Sequence, residues 1–195
     1  MNGFERRKAL KKNNILEAAL SLFLKNGISK VSVAEIAKVA DVSQVTIYNY
    51  FESKDNLIGE VYRYYVHQVW EEYLRLFNSK IPFPEKVKTM IFDKTLVANQ
   101  MNEEFLEYFM KNYMQEDSYI MKFYTETALP QFLELIAEGK EQGYIDKSIS
   151  DEAIMLYIQM FADYMRREDI ASSLLPFTED LTKLFFYGIF GKGME

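Results

Sequence analysis

The chain has 195 residues, 49% hydrophobic and 27% charged, enough to bury one sizeable core or a small domain beside a larger one. It has no cysteine, which excludes disulfides, thiolate metal sites and a cysteine nucleophile, and its one histidine, His67, cannot build a histidine-rich metal centre. The net charge of −6 is shared unevenly: residues 1–58 carry nine Lys/Arg against six Asp/Glu, net +3, and the rest carry fourteen against twenty-three, net −9.

The N-terminal order of basic "RRKALKK" and apolar "ILEAALSLFL" imitates a secretory signal, but Glu17 interrupts it and no small-residue cleavage site follows. Ile15, Ala19, Leu22 and Phe23 recur at helical spacing, which predicts a first helix from about Arg6 to Asn26, closed by Gly27 in a left-handed conformation. The basic cluster Arg6, Arg7, Lys8, Lys11 and Lys12 marks the end that would face a polyanion. No run reaches membrane-spanning length, and a cytoplasmic protein is expected.

The punctuation then becomes dense. Ser32 and Glu35 in "SVAE" predict a capping box, each side chain bonding the other's free backbone N–H, and Ile36, Ala37 and Ala40 form a short apolar face behind it. Asp41 tolerates positive φ and can make a sharp turn, and Ser43 can cap a third helix over Gln44–Tyr50, completing a helix-turn-helix. Val42, Ile47 and Phe51 are spaced to anchor that helix on the first one, which leaves Gln44, Val45, Thr46, Tyr48 and Asn49 outward. Such a set suits a DNA major groove: amides pair bidentately with adenine, methyls touch thymine, and tyrosine hydroxyls and a lysine reach phosphates. Ser53 caps a fourth helix whose apolar residues Leu57, Val61, Tyr65, Val69, Tyr73 and Phe77 keep a period near 3.6. Lys54 opposes the dipole of that helix, a cost that a bound phosphate would offset. Taken singly, Lys54 also reads as a solvated cation, and Tyr48 and Tyr50 as packing residues.

The run from "ILEAALSLFLKNG" through "VSVAEIAKVADVSQVTIYNYFESKDNLI" resembles the N-terminal domain of the TetR family of bacterial transcriptional regulators, with its I-A-x-x-A-x-V-S turn and T-[IL]-Y-x-Y-F-x-S-K-x-x-L signature. The resemblance covers about 50 residues. It implies a base-facing set of Gln44, Val45, Thr46 and Asn49 and phosphate contacts from Ser32, Tyr48, Tyr50 and Lys54. Two positions depart: Asp41 and Val45 stand where the family usually has glycine, the first placing a negative charge near DNA and the second changing which bases can be read.

Beyond Ile58 the sequence is helical but anonymous. Ile81-Pro82-Phe83-Pro84 ends the fourth helix and starts a fifth, about Glu85–Gln100; Asn102 caps a sixth, about Glu103–Met114; Ser118 opens a seventh, about Tyr119–Gln142, which Pro130 should kink or split. Ser150 caps an eighth, to about Glu168, and "SSLLPF" leads into a ninth, about Phe177–Phe190. The last two are apolar on nearly every face, which implies either a second partner surface, with Tyr157, Phe161, Leu181, Phe185 and Ile189 at a homodimer interface, or full burial within a monomer. Trp70, Tyr73, Phe92, Met101, Phe109, Met110, Tyr113 and Phe123 either line an apolar pocket or are simply core. The pocket rests mainly on the resemblance.

The expected architecture is therefore all-α with about nine helices, a helix-turn-helix DNA-binding domain at residues 1–53 and an effector-binding and dimerisation domain at 54–195. The expected function is a ligand-responsive, dimeric repressor released from operator DNA by a small apolar or amphiphilic effector. A TetR-like coactivator or adaptor working through a protein partner is the alternative. An enzyme is disfavoured, because no GxSxG, HExxH, Walker or GxGxxG pattern is present, and nothing in the sequence implies a cofactor or metal.

Overall fold

The computed structural model describes residues 2–90, 102–113, 118–165, 175–177, 179–181, 183, 184 and 187, and every regular element among them is helical. The order is α1 (Gly3–Asn26), α2 (Val33–Val39), α3 (Gln44–Phe51), α4 (Lys54–Phe77), α5 (83–90), α6 (Glu103–Tyr113), α7 (Tyr119–Phe123), α8 (Leu129–Glu141) and α9 (Asp151–Met165). A 3₁₀ turn follows at Leu175–Phe177. The chain divides into two compact units, residues 1–69 with 100–109, and residues 70–99 with 110–195.

In the first unit α1 starts three residues earlier than the apolar periodicity suggests, because Asn2 and Glu5 form a capping box that carries the helix through the basic turn. Ile15, Ala19 and Phe23 of α1, Ile36 of α2, Ile47 of α3, Leu57 and Val61 of α4 and Phe105 of α6 are all 0–1% exposed and form one core. Each of these side chains larger than alanine contributes about 1.5–3 kcal/mol when fully buried. Gly27 closes α1 through an N–H bond to the Phe23 carbonyl, but at φ 84°, ψ 165° it is not in the expected left-handed helical region. An extended backbone with positive φ suits the turn better, since the chain must leave the helix axis at once, and only glycine adopts it cheaply.

Residues 102–109 belong to this unit although 51 positions or more separate them from the end of α3 at Phe51. Asn102 caps α6 by accepting from the Glu104 N–H at 3.0 Å, as expected, and its own N–H donates to the Leu24 carbonyl at 2.9 Å. The Glu104 carboxylate accepts from the Ser29 N–H and hydroxyl at 3.0–3.1 Å. Phe105 and Phe109 meet Tyr65 edge-on at 5.9 Å. Packing thus draws a division different from a functional boundary at residue 53, because the first four turns of α4 carry the apolar residues that complete the core.

In the second unit Phe83, Val87, Met90, Leu135, Ile136, Ile145 and Ile154 form a separate core. The helix α5 begins at Phe83, two residues before the expected start, with Pro84 in its first turn where no N–H is needed. Lys86 is 3% exposed, and its Nζ donates to the Phe77 carbonyl at the end of α4 and to both oxygens of Glu138 on α8, all within 3.0 Å. The helix expected over Tyr119–Gln142, with a kink or split at Pro130, is split. Pro130 sits in the first turn of α8, and a π-helical turn over Tyr124–Ala128, with the Leu129 N–H reaching back to Tyr124, absorbs the bond that proline cannot donate. The helix expected as the eighth is accordingly α9, with Ser150 accepting from the Ala153 N–H. Of the last expected helix, Phe177 closes the 3₁₀ turn, and residues 179–181, 183, 184 and 187, which are also described, are helical.

Candidate nucleic-acid interface

The recognition face is built from local caps outward. Ser32 and Glu35 make the predicted reciprocal cap on α2: the Ser32 N–H donates to the Glu35 carboxylate at 2.7 Å, and the Glu35 N–H donates to the Ser32 hydroxyl at 3.2 Å. Asp41 takes φ 52°, as the turn requires, and the Val42 N–H reaches the Ala37 carbonyl. Ser43 then caps α3, accepting from the Thr46 N–H at 3.1 Å. The back of α3 is held by Ile47 and Phe51, 1% and 3% exposed, with the Lys12 ammonium 5.8 Å above the Phe51 ring.

The front of α3 is open. Gln44 and Asn49 are exposed, Val45 is 67% exposed and Tyr48 45% exposed. Thr46 is half-buried and its hydroxyl lies 2.8 Å from the Ser43 hydroxyl, so of the predicted base-facing set it is the one already engaged. Two exposed large apolar groups, an amide at each end and a buried spine describe a rod made to be read from one side.

Two of the predicted phosphate residues, Tyr50 and Lys54, are arranged by contacts that the sequence did not announce. Glu52 adopts φ 65° and its neighbour Ser53 donates to the Phe51 carbonyl at 2.7 Å, a three-residue γ-turn that starts α4 two residues after α3 ends. Ser53 caps α4 by accepting from the Asn56 N–H. Lys54, in the first turn of α4, sends Nζ 2.9 Å to the Ile28 carbonyl, which leaves it two further N–H donors. This brings Lys54 to the α1–α2 connection. There its charge helps to keep the Glu35 carboxyl below the usual carboxylate range, an effect due first to the Ser32 N–H and next to the Ser32 hydroxyl. Ser32, Glu35 and Lys54 therefore form one polar group. The Tyr50 hydroxyl donates to the Lys8 carbonyl at 3.3 Å, tying the far end of α3 to the basic turn of α1.

The residues expected to line an effector pocket fall in both units. Phe109 packs edge-on with Tyr62 and Tyr65 in the first. In the second, Trp70 meets Phe77 and Phe123 edge-on at 6.0 Å, Tyr73 lies 6.1 Å from Phe77, and Met110 is half-buried. Phe92 and Met101 lie outside the described residues, as does the side chain of Tyr113. Of the expected dimer residues, Tyr157 is 41% exposed beside Leu156 and Met160, each 62% exposed, and Leu181 is half-buried. Phe185, Ile189 and the side chain of Phe161 lie outside the described residues. No helix among the described residues is long and apolar enough to cross a membrane.

Residues 15–61 match the family model described as bacterial regulatory proteins, tetR family. The chain is 27% identical over 192 residues to "Probable HTH-type transcriptional regulator YttP" of Bacillus subtilis, covering 92% of this chain and 90% of that one. It is 38% identical to the HTH-type transcriptional regulator LuxR of Vibrio harveyi over 58 residues, 30% of this chain and 28% of LuxR. The fold is shared with the transcriptional regulator FadR from Bacillus subtilis, solved in complex with stearoyl-CoA, at a TM-score of 0.54, 20% identity and coverage of 90% and 98%.

Proposed function

Because the chain belongs to the TetR family of bacterial regulatory proteins, whose members are DNA-binding transcriptional regulators, we propose that it is a cytoplasmic, dimeric repressor released from its operator by an apolar or amphiphilic small molecule. The observation that carries the DNA half is the one-sided α3, with Ile47 and Phe51 buried behind it and Gln44, Val45, Tyr48 and Asn49 exposed in front. Gln44, Val45, Thr46 and Asn49 face bases, and Ser32, Tyr48, Tyr50 and Lys54 face phosphates. Lys54, whose ammonium holds the Ile28 carbonyl and keeps two further N–H donors, is a donor held in place before DNA arrives, whereas the Tyr50 hydroxyl must release the Lys8 carbonyl to donate to a phosphate. The functional division is residues 1–53 for DNA and 54–195 for effector and partner.

The dimer reading draws on Leu156, Tyr157, Met160, Leu184 and Tyr187, whose exposed apolar surface on the C-terminal helices needs a cover. The effector reading draws on the aromatic group Trp70, Tyr73, Phe77 and Phe123, and on a fold neighbour that holds stearoyl-CoA. Coupling of the two sites is worth about 1–3 kcal/mol and runs both ways, so an effector that weakens DNA binding is itself weakened by DNA.

The test is to sequence genomic fragments retained by the protein and then measure variants on the enriched site. Gln44→Ala should cost about 1–3 kcal/mol, mainly at one base pair, whereas Lys54→Ala should weaken every duplex alike and lower the salt slope by about 0.9. No enriched fragment, together with retention of a protein partner, would favour the adaptor reading instead.

A further inference from the structure

We propose that Arg7, Lys8 and Lys11 on α1 form a second phosphate-binding stripe that grips the DNA backbone beside the groove entered by α3. The inference rests on the DNA-binding reading and extends it to residues outside the helix-turn-helix.

The geometry comes from three observations. The Tyr50 hydroxyl holds the Lys8 carbonyl at 3.3 Å, so the basic turn of α1 lies alongside the C-terminal end of the recognition helix. At about 100° per residue, Arg7, Lys11 and Lys8 occupy one arc of about 100° on α1, and all three are exposed. Two of the neighbouring charges are already committed. Glu5 is consumed by the capping box with Asn2, and Lys12 is paired with Glu60 at 2.7 Å, a carboxylate that Arg63 also bonds.

Lys11 lies three and four residues from Lys8 and Arg7 on one face of α1, so the three cations repel one another. The arrangement is unfavourable for the chain alone and favourable against a polyanion, whose released counterions make each contact visible as salt dependence. Arg6 supplies an internal control. It carries the same charge in the same turn but lies about 100° outside the arc, so a contact model and a long-range field model predict different things for it.

The experiment titrates the full chain with a labelled mixed-sequence duplex across a range of KCl concentrations, reading fluorescence anisotropy, so that no operator need be known. The variants are Arg7→Gln, Lys8→Gln, Lys11→Gln, their triple combination and Arg6→Gln, with thermal unfolding confirming that each remains folded. Each single change within the arc should lower the slope of log K against log salt by about 0.9 and the triple by about three times that, while Arg6→Gln leaves it near the wild-type value. A triple variant with the wild-type slope would overturn the stripe and leave the helix-turn-helix reading standing. An Arg6→Gln effect equal to the others would replace contact with a diffuse field and equally overturn it. Absence of wild-type binding to any duplex at low salt would remove the DNA-binding reading itself, and the stripe with it.

Discussion

Replacing Gly27 by alanine tests whether the turn entering the helix-turn-helix is as tightly specified as its geometry requires. At φ 84°, ψ 165° the backbone lies in a region that is nearly closed to residues with a Cβ, at a cost of about 1–3 kcal/mol. The added Cβ would also stand 2.6 Å from Glu104 Oε2 and 2.8 Å from Asn102 Oδ1. Glu104 must then swing away from the Ser29 N–H and hydroxyl, and because that pair stays within reach of water its loss is discounted to about 1 kcal/mol. The total, about 2–4 kcal/mol, should move the urea midpoint down by roughly 1–2 M at an ordinary denaturant slope. Circular dichroism during urea unfolding reads it. Glu104→Ala should cost about 1 kcal/mol alone, and Gly27→Ala should cost less in that background than in the wild type, since one of the two collisions has gone. A midpoint unchanged within about 0.2 M in Gly27→Ala would mean that the chain makes this turn with negative φ and that the Glu104 contact is not what closes it.

Other outcomes follow from the same geometry. Glu138→Ala strands the 3%-exposed Lys86 ammonium with only the Phe77 carbonyl and should cost about 3 kcal/mol, whereas Lys86→Met leaves a carboxylate that is 30% exposed and can hydrate, so it should cost less; urea midpoints in the reverse order would refute this. The Glu35 carboxyl titrates below its unfolded value of 4.5, so its contribution to stability is present above that pH and is lost as pH falls through the lower folded value. Glu35→Gln should therefore flatten the acid limb of thermal stability, and parallel acid limbs would contradict the Ser32 contacts. Leu156→Glu combined with Met160→Glu alters side chains that are each 62% exposed in one chain, so it should leave folding intact and give monomers in sedimentation; an unchanged dimer would move the interface elsewhere.

Much of the recognition unit is legible without coordinates because its signals are local. A capping serine and the N–H that it serves are three residues apart at Ser32, Ser43 and Ser53, so residue identity and spacing alone place the starts of α2, α3 and α4. Asp41 at φ 52° is readable for the same reason. The outward face of α3 follows from its period: Gln44, Val45, Tyr48 and Asn49 are exposed as the sequence assigns, and of its five outward residues only Thr46 is half-buried, against Ser43. Glu52 was not readable: nothing in glutamate favours φ 65°, which is imposed by the need to turn α3 into α4 within two residues.

Tertiary structure decided the contacts whose partners lie far apart in the chain. Glu104 meets Ser29 across 75 positions, Lys86 meets Glu138 across 52, Tyr50 meets Lys8 across 42 and Lys54 meets Ile28 across 26. Periodicity says which face of a helix is buried but not against what, and a polar side chain that satisfies a distant carbonyl looks in sequence like one that faces water. The aromatic residues of the middle helices show the same limit. Phe109 and Trp70 carry equivalent signals, yet packing sends one to Tyr62 and Tyr65 and the other to Phe77 and Phe123. Helix identity, caps and the recognition face were determined by the sequence because those interactions close within one turn; the pairing of faces was left to the fold, because apolar burial is non-directional and many partners of similar shape offer nearly the same gain.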